Sequence, residues 1–73
     1  MPETEVAVAT FGMETEAMMM AELLKGEGIP CVLVPLGSGA GGLGPTVWRP
    51  FELRVRKSDA ERATQILDSV RDR

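Results

Sequence analysis

Residues 50–71, PFELRVRKSDAERATQILDSVR, decide the fold of this chain. Phe51, Leu53 and Val55 alternate with Glu52, Arg54 and Arg56, which is how a strand reads when one face meets a core and the other meets water. Lys57 and Ser58 then turn the chain into a helix over residues 58–71. Ser58 and Glu61 have capping-box spacing, the hydroxyl accepting from the first turn and the carboxylate reaching back. Ala60, Ala63, Leu67 and Val70 recur at helical spacing, with Ile66 beside them, and define an inner face. The small alanines let that helix lie close to a sheet. Glu61, Arg62, Gln65, Asp68 and Asp72 face water. No further strand pattern comes before Arg73.

Upstream the periods change in order. In Glu5–Phe11, Val6, Val8 and Thr10 alternate with Ala7, Ala9 and Phe11, and apart from Glu5 neither phase is charged. Period alone leaves open which phase faces inward. Gly12 permits a sharp turn into a helix over residues 13–26, whose Met13, Ala17, Met20, Ala21 and Leu24 form the sheet-facing stripe. Glu14 and Glu16 suit the positive end of its dipole, while Lys25, Gly26 and Gly28 mark its exit. Residues 30–36 are apolar in both phases and bracketed by Pro30 and Pro35, which places the run at a sheet edge, since proline cannot donate to a ladder.

Strand, helix, strand, strand, helix is the ferredoxin-like order without its closing strand. The expected fold is therefore α+β: a three-stranded antiparallel sheet in order 1-3-2 with both helices on one face. In that order Glu5–Phe11 is an edge strand, and it lacks the lysine or proline that usually guards an edge. This predicts self-association, by pairing of that edge or by packing of the uncovered sheet face.

The bulk composition agrees with a need for support. Seventy-three residues make one domain, 1–73, with an ordered core over about residues 5–71. At this size a single core supplies about 3–5 kcal/mol, and disulfides, metals or oligomerisation commonly add to it. One cysteine and no histidine exclude an intrachain disulfide and a Cys/His zinc site. The net charge of −3 argues against nucleic acid or an anionic membrane as partner. No apolar run approaches the roughly 18 residues that span a bilayer. Carboxylates rather than basic residues precede the first strand, so no secretory signal is read and a cytoplasmic location is expected.

The segment 37–45, GSGAGGLGP, matches G-x-G-x-x-G twice, at Gly37, Gly39, Gly42 and at Gly39, Gly41, Gly44. That fingerprint binds a pyrophosphate when it opens a helix. Here Pro45, Thr46, Val47 and Trp48 follow as extended chain, and the Gly-Lys-Ser/Thr of a phosphate loop is absent. A flexible hairpin connection is the expected role. A loose anion nest at Gly39, Gly41, Gly42 and Gly44, assisted by Arg49, is the alternative.

Other polar groups have structural explanations. Cys31 lies in an apolar strand with no base to activate it, so it reads as packing. Glu14 and Glu16 point about 200° apart on their helix and form no acid/base pair. Arg54, Arg56 and Lys57 make a short basic stripe, for which pairing with neighbouring carboxylates is expected. Among the methionines, Met19 and Leu23 share a flank at about 100° per residue, with Met18 nearer the opposite side. That flank is either buried or an interface patch. Trp48 either covers the open end of the core or anchors an interface.

Taken in order, Ala9-Thr10-Phe11, Glu16-Ala17, Leu24, Glu27-Gly28-Ile29-Pro30, Leu43-Gly44-Pro45 and a basic strand into Asp59-Ala60-Glu61-Arg62-Ala63 resemble a family of small prokaryotic proteins labelled signal-transducing, of unknown function. The likeness covers roughly residues 5 to 70. It implies a truncated ferredoxin-like fold akin to the PII nitrogen-regulator superfamily, whose members oligomerise and sense ligands through the connection between their second and third strands. The glycine-rich loop occupies that topological position. The ATP-binding residues of PII proteins find no match here, so the resemblance carries over no nucleotide site.

The functional expectation is a non-enzymatic regulatory or adaptor domain of a bacterial cytoplasm, acting through self-association and contacts with another protein. Its candidate surface is Val6, Val8, Met19, Leu23, Leu43 and Trp48, with no catalytic residue, metal or cofactor. The alternative is a sensor of a small anion or nucleotide at the glycine-rich loop.

Overall fold

The computed structural model describes residues 4–36 and 50–71. Three strands, β1 (Glu5–Phe11), β2 (Cys31–Pro35) and β3 (Phe51–Arg56), alternate with two helices, α1 (Glu14–Gly26) and α2 (Ala60–Arg71), in the order β-α-β-β-α. The sheet order is β1-β3-β2 and both pairings are antiparallel, as expected for a truncated ferredoxin-like α+β fold. The central strand is the one with clean alternation: Leu53 and Val55 are fully buried, and Glu52 and Arg54 point to the other side.

β1 resolves its ambiguous phase through a β-bulge. Val6 stands opposite Val55, but the register shifts between Ala7 and Ala9, so that Ala9 meets Leu53 and Phe11 meets Phe51. Val6, Val8, Ala9 and Phe11 all pack on the core, which a regular strand could not achieve. Its ladder extends one step further, where the Lys57 amide donates to the Thr4 carbonyl at 2.9 Å.

α1 begins one residue later than its hydrophobic stripe. Met13 is its N-cap, in extended conformation with no side-chain cap bond and half exposed, so it lies outside the buried set. Ala17, Ala21 and Leu24 face inward. The helix ends in a Schellman arrangement: the Gly28 amide donates to the Lys25 carbonyl (3.0 Å) and the Ile29 amide to the Leu24 carbonyl (2.9 Å). Gly28 sits at φ +85°, the left-handed turn the motif needs, and Ile29 and Leu24 are both fully buried.

The regular part of the last helix starts at Ala60 rather than at Ser58. A 3₁₀ turn over Lys57–Asp59 leads into α2, and Asp59 accepts from the Arg56 guanidinium at 2.9 Å. Ala63 and Leu67 are buried against the sheet, with Ala60 and Ile66 packed at the margin. α1 lies mainly over β2 and β3, and α2 mainly over β1.

Candidate interaction surface

Two features remain uncovered among the described residues: the back of the sheet and the flank where α1 meets β2. Register places Ala7 and Thr10 of β1, Glu52 and Arg54 of β3, and Val32 and Val34 of β2 together on the back. Among the described residues no helix covers that side, since α1 and α2 both pack on the face carrying Leu53 and Val55. The only charges in its two central rows are Glu52 and Arg54, joined at 2.7 Å, as the sequence expectation for the basic stripe required. Around them lie small or β-branched side chains, with Val32 43% exposed. This surface is therefore amphipathic rather than fully polar.

The flank is a shallow groove of about 430 Å³ lined by Glu14, Met18, Ala21, Glu22, Lys25, Cys31, Val32 and Leu33. Met18 and Val32 form its apolar rim, both well exposed. Lys25 and Glu22 pair loosely at 3.8 Å along its upper edge. Its floor holds Cys31, whose thiol donates to the Ala21 carbonyl at 3.4 Å. Burial pushes that thiol up; Lys25 draws it partly back down and Glu22 adds to the rise. A protonated thiol satisfied by a backbone carbonyl is a packing group, since nucleophilic chemistry requires the thiolate. The volume would admit a small ligand, but enclosed ligand sites add convergent polar groups, and here the carboxylates and the ammonium lie on the rim. No cluster of metal-binding side chains occurs among the described residues.

The residues expected from sequence to form the surface fall in different places. Val6 and Val8 are half-buried and turned toward the core, so β1 offers an edge backbone rather than those side chains. Leu23 is half-buried and Met19 is 62% exposed, which splits the flank that helical spacing had joined. Leu43, Trp48, Arg49 and the glycines Gly39, Gly41, Gly42 and Gly44 lie outside the described residues, as does the whole of the expected loop 37–45. The sequence reading missed Val32, Val34 and Met18. The available signal was the run 30–36, apolar in both phases, because a strand with only one covered face leaves one of those phases in the open.

The fold and this surface define a small α+β module with a half-covered sheet and no converging set of reactive groups among the described residues. The chain belongs to the family described as "Putative prokaryotic signal transducing protein", whose family model matches residues 6–71. No match was found among curated proteins, and none among solved structures. Among the described residues no helix is long and apolar enough to cross a membrane.

Proposed function

We propose that this protein is a non-enzymatic regulatory or adaptor domain that works through self-association and contact with another protein. The observation that carries the reading is the back of the sheet, where Ala7, Thr10, Val32 and Val34 surround one internally paired Glu52–Arg54 couple with no helix over them among the described residues. Glu5 and Arg56 add charge at one end of this face, and the largely apolar rows at its centre gain by being covered. The family description is consistent with a signalling role. Met18 and Met19, both more than half exposed, add a second adaptable surface on α1, since unbranched thioether side chains repack against differently shaped partners.

Light scattering behind a sizing column tests the first half of the proposal. At micromolar concentration the protein should elute with a molar mass above that of one chain; a monomer at all concentrations would contradict self-association. The second half is tested with Met18→Glu and Met19→Glu. Each should abolish capture of a specific partner retained by the parent protein, while the circular dichroism spectrum stays unchanged. Unaltered capture by both variants would remove the helix surface from the account.

A further inference from the structure

We infer that the occupant of the sheet side left uncovered by the described residues is a second copy of this chain, packed face to face about a two-fold axis that runs across the strands at the level of Leu53. The inference deepens the self-association proposed above and rests on it. The register supplies the argument. One row of the back surface contains Ala7, Arg54 and Val32; the other contains Thr10, Glu52 and Val34. The Leu33–Leu53–Ala9 row lies between them and points to the core.

Two in-plane two-fold axes could relate the copies of such a face. An axis along the strands lays β3 on its copy with Glu52 over Glu52 and Arg54 over Arg54, which is repulsive at both positions. An axis across the strands exchanges the two rows. Glu52 of one copy then faces Arg54 of the other, Val32 faces Val34, and Ala7 faces Thr10. Every position of the two rows meets a complementary one, as a self-complementary interface requires. Sheets packed this way lie about 10 Å apart with strands within about 30° of alignment, and the rows beside the axis are those least displaced by twist.

The charges enter such an interface already satisfied. Arg54 holds Glu52 of its own strand at 2.7 Å, so association converts two separate pairs into one alternating ring of four groups. Neither partner is left buried alone, the condition under which ion pairs become costly. The three-stranded face is small, which puts the assembly in the weak, exchanging class rather than the obligate one.

The test compares wild type, Glu52→Arg, Arg54→Glu, the double exchange of both, and an equimolar mixture of the two single variants, by analytical ultracentrifugation. Each single variant alone should dimerise at least about tenfold more weakly, because like charges then face each other across the axis. The mixture should dimerise, since an all-basic central strand meets an all-acidic one, and the double exchange should restore the wild-type constant. Circular dichroism melting reports whether the single variants fold; Val32→Lys, at an exposed position, provides a second weakening substitution independent of the ion pair. Wild-type dimers indifferent to the single substitutions and to Val32→Lys would overturn this interface while leaving self-association standing. Single variants that lose dimerisation but do not recover it on mixing would overturn the axis. A wild type that stays monomeric throughout would overturn both the interface and the reading beneath it.

Discussion

Gly28 shows how one residue fixes the route from the first helix to the second strand. Its φ of +85° is open to glycine and costly to other residues, while a Cβ built there meets nothing within 4 Å. The penalty of Gly28→Ala is thus one of backbone conformation alone, about 1–2 kcal/mol of lost stability. Gly26, two positions earlier, is helical and equally uncrowded, so Gly26→Ala should stabilise by about 0.5–1 kcal/mol. Opposite shifts in urea midpoint for these two chemically identical substitutions would verify the Schellman assignment; shifts of the same sign would refute it. Cys31 is the other residue with a distinct expectation. Its folded pKa is raised, chiefly by burial, so the folded state holds the thiol proton more tightly than the unfolded chain does. Its contribution to stability is complete below the unfolded thiol pKa and is lost as pH rises through the folded value. Alkylation by iodoacetamide at neutral pH should be slower in the native protein than in urea, and equal rates would contradict the packing role.

At the scale of elements, legibility followed regularity. β3 and α2 could be read from residues 51–71 because one alternates strictly and the other repeats at helical spacing. The extent of β1 could be read too, but not its inward phase, because its bulge changes phase midway: Val6 faces inward before it and Ala9 and Phe11 after it, so both sets look equally apolar. The same bulge answers the absence of lysine or proline, since a bulge twists an edge away from further pairing. Deleting Val8 should leave a chain that still folds, with Val6, Ala9 and Phe11 still inward, but with a straight edge. Such a variant should aggregate at concentrations where the parent remains clear by turbidity, and unchanged solubility would deny the bulge its protective role. The groove was invisible for a different reason. It joins Met18 to Val32 and Leu33 across an open flank, and no local pattern states which helix face a distant strand will approach. The uncapped start of α1 makes one further prediction. Met13 has extended backbone dihedrals and no cap bond, so Met13→Ser should raise stability by about 1 kcal/mol in thermal unfolding.

For the whole molecule the governing fact is the ratio of core to surface. Leu24, Ile29, Leu53 and Val55 are its largest fully buried side chains among the described residues, and the set is small. A truncation such as Leu53→Ala costs about 2–5 kcal/mol, comparable with the roughly 3–5 kcal/mol available to a domain this short, so that variant should be largely unfolded by circular dichroism. Anything that binds only the folded state adds to that margin by mass action, and the second copy proposed above would be such a ligand. The wild-type melting midpoint should therefore climb with protein concentration. The most direct test of the covered sheet is a dilution series followed by methyl NMR. The methyl signals of Val32 and Val34 should shift together with concentration, while those of Met19, far from the sheet on the outer side of α1, stay still. Valine signals that do not move from the most dilute to the most concentrated sample would mean that the back of the sheet stands bare, and the account would fail.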